Sequence, residues 1–144
     1  MVVTLGASVP AGQGREVVWA QNRDCFDASL IPALSEFGGI VLVVTNPVDL
    51  MARHVYRAAK LKPHRCLGLG TVVETARLRA SLAKHVSPMR SAREMFAYAI
   101  GTHDDNVVVV ASGGGGLGVR EHPEEIVSMA RIETVRAAER VKQD

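Results

Sequence analysis

The stretch Gly38-Gly-Ile-Val-Leu-Val-Val-Thr-Asn-Pro47 decides how this chain folds. Two glycines open it, a run rich in β-branched side chains follows, and an Asn-Pro pair closes it. An apolar run without polar alternation is what a strand buried on both faces of a parallel sheet looks like. Pro47 then suits the first turn of a helix, where the backbone N–H has no intrahelical partner anyway. Residues 40–45 therefore read as a strand and 48–61 as the helix after it.

Towards the N-terminus, Met1 to Thr4 reads as a short strand and Gly6 to Gly14 as a loop. Arg15 to about Glu36 reads as helical. Val17, Val18, Ala20, Phe26, Leu30 and Ile31 share a stripe there, and Pro32 bends or restarts the helix. Towards the C-terminus, Cys66 to Leu69 reads as a strand and Thr71 to about His85 as a helix, stopped by Ser87-Pro88. Met95 to Ile100 and Asn106 to Ala111 read as two strands around the polar corner Gly101 to Asp105. Ser112 to Gly118 is a glycine loop. Pro123 to Lys142 reads as an amphipathic helix with Ile126, Met129, Ala130, Ile132, Val135, Ala138 and Val141 on its apolar side. Strand and helix alternate in the first half, which argues for an α/β fold with parallel strands. Ligands of such sheets sit at the carboxyl ends of the strands. Gly6–Gly14 and Asn46-Pro47 occupy that location.

Composition narrows the function. The length of 144 residues suits one domain, and 47% hydrophobic with 22% charged residues fits a globular chain. A net charge of +2, with basic residues scattered, argues against nucleic acid as a partner. Cys25 and Cys66 lie far apart in no metal-binding pattern, so no metal site is expected. Two reduced thiols favour the cytoplasm. No segment reaches the roughly 18 apolar residues of a membrane span, and the N-terminus lacks a charged region ahead of an apolar run. The chain starts inside a strand, so a missing upstream segment is expected.

One motif is set aside. Gly113, Gly115 and Gly118 spell G-x-G-x-x-G after the apolar run Val107–Val110. In a dinucleotide site the third glycine opens a helix packed on the strand. Here Pro123 delays the helix, and no acidic residue ends a following strand. A flexible turn is the plainer reading of four consecutive glycines.

Two other features carry chemistry. Glu74 and Arg77 are three residues apart on one helix face, and His103 sits in the corner between two strands. Arginine's planar fork grips a carboxylate bidentately. Histidine exchanges protons near neutral pH, and a neighbouring carboxylate fixes its tautomer. The competing interpretation is a solvated surface pair and an ordinary turn residue. Spacing leaves both open.

The ordered set Val44-Thr-Asn46-Pro-Val-Asp49, Gly68-x-Gly-Thr-x-x-Glu74-Thr-Ala-Arg77-Leu-Arg79 and Gly101-Thr-His103-x-Asp105 resembles the lactate/malate dehydrogenase family. Thr4-Leu-Gly6-Ala7, and Arg15 followed seven residues later by Asn22, resemble the family's nucleotide loop and mobile active-site loop. The resemblance runs from residue 1 to about 110. It implies an incomplete Rossmann-like parallel sheet half over 1–47, the second part of an NAD-binding domain. Part of an α+β substrate domain would follow over 48–144. It implies a hydride transfer between NAD and a small 2-hydroxy or 2-keto acid. His103 would be the proton acceptor or donor, with Glu74 as its carboxylate partner. Arg77 would bind the substrate carboxylate, and Arg15 would polarise the carbonyl as its loop closes. Asn46 would sit between substrate and nicotinamide, while Gly6, Ala7, Asn22, Val44 and Thr45 would line the NAD path. The family also implies a homo-oligomer, dimer or tetramer.

The sequence departs from the family pattern in four places. Glu74 stands where Asp is usual, with one methylene more reach. Asp104 and Asn106 replace a glycine and a serine beside His103, and the added carboxylate favours a charged imidazole. Val9, six residues before Arg15, matches neither the Gln of a lactate pattern nor the Arg of a malate pattern. The family's strand–GxGxxG–helix would lie ahead of Met1, and further segments beyond Asp144, so truncation at both ends is expected. A non-catalytic remnant or interaction module is the alternative to an enzyme.

Overall fold

The computed structural model describes residues 1–10, 12–85, 91–101, 107–111, 128–129, 131–134 and 136. The chain divides into two compact units, Met1–Gly70 and Thr71–Asp144. Gly70 ends the first with φ +55, a left-handed conformation that glycine adopts without a steric penalty.

The first unit is a parallel three-stranded sheet in the order β1 (Val2–Val3), β2 (Val41–Val43), β3 (Cys66–Gly68). Val2 lies opposite Leu42, and Leu42 opposite Leu67. The β1–β2 crossover contains a helical run over 15–34. A 3-10 turn (Arg15–Val18) leads into α1 (Trp19–Cys25), a π turn (Phe26–Leu30) and α2 (Ile31–Leu34). The widened turn lies immediately before α2, where Pro32 has no N–H to continue the ladder. The restart expected at Pro32 therefore takes the form of a π turn. The crossover from β2 to β3 is α3 (Val48–Ala58), with Pro47 at its N-cap and the Asn46–Pro47 peptide cis. Asp49 in its first turn and Arg57 in its last complement the helix dipole.

Val3, Val41 and Val43 point to one face of the sheet and pack with Phe26, Leu34, Met51 and Val55. All seven are buried, and side chains at alternate strand positions share a face. The other face carries the row Val2, Leu42 and Leu67. Val2 is 63% exposed and Leu67 48%. The expectation that 40–45 is covered on both faces is thus corrected. Within this unit the core helices pack on the face of Val41 and Val43, while Ile40 is exposed and Leu42 only half-buried. His54 Nε2 and Asp27 Oδ1, 2.7 Å apart, tie α3 to the π turn, and the Trp19 ring meets His54 edge-on.

The second unit builds on α4 (Val72–His85) and the antiparallel pair β4 (Ala97–Ile100) and β5 (Val108–Ala111). Leu78, Leu82, Ala83, Met95 and Ala97 form its core. Alternation along β4 buries Ala97 and Ala99 and exposes Tyr98 and Ile100. Ser128, Met129, 131–134 and Arg136 are helical, as expected. The expected apolar side of that helix needs correction, however. Met129 and Ile132 are 44% and 49% exposed, whereas Thr134 is buried. The glycines Gly113, Gly115 and Gly118 lie outside the described residues. Among the described residues, no helix is long and apolar enough to cross a membrane.

Candidate active site

In the first unit the loops after β1 and β2 are fastened to each other through one side chain. Asn22, on α1, is fully buried. Its Oδ1 accepts a hydrogen bond from the Ala7 backbone N–H at 2.7 Å, and its Nδ2 donates to the Asn46 carbonyl at 2.7 Å. Thr45 Oγ1 donates to the Leu5 carbonyl at 2.6 Å, a second tie between the same loops. Val44 continues the ladder by donating its N–H to the Val3 carbonyl at 2.9 Å.

Gly6 passes between these groups. Its φ is +152, and a Cβ there would lie 2.6 Å from Thr45 Cγ2 and 2.9 Å from Asn22 Oδ1. Only glycine lets the backbone approach so closely. The expected NAD-path residues Gly6, Ala7, Asn22, Val44 and Thr45 are therefore one cluster, and Asn46 shares it through its carbonyl. The Asn46 side-chain amide makes no hydrogen bond among the described residues and is half-buried. Arg15 opens the 3-10 turn that follows the loop, with Gly14 as its extended N-cap.

In the second unit Glu74 is buried, 2% exposed, in the first turn of α4. Its Oε1 is 3.7 Å from Arg77 Nη1, one turn along the helix, and the Arg77 side chain is 29% exposed. The arrangement sets a buried carboxylate behind a guanidinium that reaches solvent. The end of β4 lies against the same turn. Thr71 Oγ1 donates to the Ala99 carbonyl at 2.5 Å, and the Ala99 N–H donates to Thr75 Oγ1 at 3.0 Å. Arg79, the other arginine of the motif, is committed to structure. Its Nε donates to the Ala97 carbonyl at 2.9 Å, and its guanidinium lies over the Tyr98 ring at 4.9 Å. His103 lies outside the described residues, between Gly101 and Val107.

Comparison with known proteins adds to this geometry. No family model matches the sequence. Over 121 residues the chain is 34% identical to an L-lactate dehydrogenase of Thermus aquaticus, an alignment covering 83% of this chain and 38% of that protein. Its fold matches the apo malate dehydrogenase of Picrophilus torridus with a TM-score of 0.75 and 27% identity, over 94% of this chain and 43% of that one. The chain belongs to the lactate/malate dehydrogenase family. A lactate dehydrogenase of Cryptosporidium parvum, solved with lactic acid and nicotinamide adenine dinucleotide, shares the fold with a TM-score of 0.76 at 20% identity, over 94% of this chain and 45% of that one. The chain spans less than half the length of each of these family members.

The structure also places beside Arg77 two residues that the sequence motifs did not single out, Ser81 and Lys84. Asn22 was expected to line the cofactor path, but its role as a tie between two loops is a matter of three-dimensional partners. Ser81 and Lys84 follow Arg77 at four and seven residues on α4. That helical spacing was available in the sequence and would have placed them on the Arg77 face.

Proposed function

We infer that the chain supplies site residues for an NAD-dependent oxidoreductase acting on a small 2-hydroxy or 2-keto acid, of the lactate/malate type. The observation that carries this reading is the buried Glu74 behind the partly exposed Arg77, one helical turn apart. Arg77 would hold the substrate carboxylate by its planar fork. His103 would take the hydroxyl proton in oxidation and return it in ketone reduction, with Glu74 steadying the imidazolium. Arg15 would polarise the carbonyl oxygen. Asn46 offers a side-chain amide that makes no hydrogen bond among the described residues.

NAD, when bound, accepts or returns the hydride. The chain's fit to this group rests on the cluster at the carboxyl ends of β1 and β2. Gly6, Ala7, Val44, Thr45 and Asn46 form a wall there, and the buried Asn22 holds it in place. In this reading 1–47 serve the cofactor side and 48–144 the substrate side, although α3 and β3 pack with the first unit. The free thiols at Cys25 and Cys66 support a cytoplasmic home. A homo-oligomer, dimer or tetramer as in the family, would cover the exposed apolar rows. The same rows favour the second reading, a non-catalytic interaction module that keeps this fold.

Nicotinamide absorbance, followed with pyruvate, oxaloacetate or a branched 2-keto acid, separates the two. Turnover is expected, with kcat lowered on the order of 10²-fold or more in His103→Gln. Arg77→Gln should lower kcat/KM by about 10²-fold, the value of roughly 3 kcal/mol of charge-assisted hydrogen bonding. A folded sample that turns over none of these acids would favour the module.

A further inference from the structure

A row of cations runs along α3 and past its end. Residues 53–65 carry Arg53, Arg57, Lys60, Lys62 and Arg65 and no acidic residue. The first four are exposed, and none of the five forms an ion pair among the described residues. Asp49 stands one turn ahead of Arg53 and is not paired with it. Because β2 and β3 are parallel, α3 runs back from the carboxyl end of β2 to the amino end of β3. The cations after Arg57 therefore lie at the end of the sheet opposite the loops that Asn22 ties. Lys60 marks the helix stop. The Leu61 N–H donates to the Tyr56 carbonyl at 3.1 Å and the Lys60 N–H to the Arg57 carbonyl at 3.3 Å, the bond pattern of a Schellman motif. Its left-handed position, φ +51, is filled by Lys60, where a side chain meets a steric penalty that glycine avoids. Cations in a last turn complement the helix dipole, an effect that fades beyond that turn. It covers Arg57 but does not reach Arg53 or Lys62, and a glycine at 60 would end the helix without penalty.

We propose that this face of α3 docks an acidic segment of a partner protein, extended and with Asp or Glu at alternate positions. Arg53, Arg57 and Lys60 follow one stripe of the helix at i, i+4 and i+7. A step of four residues rises about 6 Å. Side chains on one side of an extended peptide repeat at roughly 6.6 Å, so successive carboxylates meet successive cations. Tyr56, 37% exposed, shares the stripe and offers its ring to an apolar side chain of the segment. Lys62 continues the positive row past the helix end. Single-stranded nucleic acid fits less well, because its bases stack on successive aromatic side chains and Tyr56 is the only Tyr, Phe or Trp in 53–65. An anionic membrane finds no apolar stripe to take up, since Met51 and Val55 on the opposite side of α3 are in the core.

This surface goes beyond the dehydrogenase reading and does not depend on hydride transfer. Fluorescence anisotropy of labelled ligands, titrated with the full chain at low salt, tests it. The ligands are a peptide of alternating Glu and Ser, a peptide with the same glutamates in one block, and oligothymidylate. The alternating peptide should bind tightest, and Arg53→Gln with Arg57→Gln should weaken it about tenfold, as two surface charge contacts do. Lys60→Gly should weaken it as well while raising the unfolding midpoint, because glycine relieves the left-handed residue. Loss of binding in that variant is then loss of a charge and not of the fold. Equal affinity for the two peptides, tighter binding of oligothymidylate, or affinity unchanged in either variant would overturn the proposal.

Discussion

Asn22 shows how much one residue organises. A helix-borne amide satisfies a backbone donor of one loop and a backbone acceptor of the other, at 2.7 Å each. Removing it takes the partner from two half-buried backbone groups and empties a fully buried side-chain site, and an unsatisfied buried group costs more than a hydrogen bond gains. Asn22→Ala should therefore lower the unfolding free energy by about 2–4 kcal/mol. Denaturant unfolding reads this as a shifted midpoint, and a shift worth less than about 0.5 kcal/mol would refute the tie. The sequence made this residue legible as a site candidate through its resemblance alone. No local pattern announces that a mid-helix Asn bridges loops 15 and 24 residues away. Glu74 and Arg77 were more legible, because i,i+3 spacing on a helix fixes their common face. Which of the pair is buried was not, since burial depends on what packs against α4.

At the scale of elements, most boundaries follow from local rules. Asn46-Pro47 ends a strand and starts a helix, and α3 begins at Val48. The strand at 40–45 shortens to Val41–Val43, and its coverage was misread because periodicity cannot count the layers stacked on a sheet. Likewise the apolar stripe of the last helix did not foresee Thr134 inside and Ile132 outside. The bond from α4 to β4 is a testable joint. Thr75→Val keeps the volume but loses the acceptor for the Ala99 N–H, so it should cost about 1–2 kcal/mol. Wild-type stability in that variant would show that the hydroxyl holds nothing.

Cys66, at the start of β3, gives a pH prediction. Burial pushes its thiol pKa up, against a smaller lowering by the Tyr56 backbone. A raised folded value means that the unfolded chain ionises first as pH rises. The contribution is therefore fully present below the unfolded thiol value of about 8.5 and is lost as pH climbs through the folded one. As pH rises from the unfolded thiol value toward the raised folded one, melting temperatures should fall more steeply for wild type than for Cys66→Ala. Parallel curves would argue that the thiol is no more buried in the folded chain than in the unfolded one.

On the scale of the whole molecule, the two units carry complementary parts of one expected chemistry. The first gathers Gly6, Ala7, Val44, Thr45 and Asn46 at the carboxyl ends of parallel strands. The second presents Glu74 and Arg77 beside the end of β4. The α/β class was legible from the alternation of strand and helix, and family membership from an ordered set of weak motifs. Compaction into units was not legible, because β3 pairs with β2 across the α3 crossover and draws residues past 47 into the first unit. Specificity is the least legible property, since Val9 matches neither family pattern.

The central claim is that these residues serve hydride transfer between NAD and a 2-keto acid. Its most direct measurement is isotopic: the chain is incubated with NADH deuterated at the transferring position of the nicotinamide, together with pyruvate or oxaloacetate. Mass spectrometry of the hydroxy-acid product should find one deuterium at the hydroxyl-bearing carbon, and Arg77→Gln should suppress its appearance about 10²-fold. A folded chain that yields no labelled product, or labels it equally well without Arg77, would contradict the account.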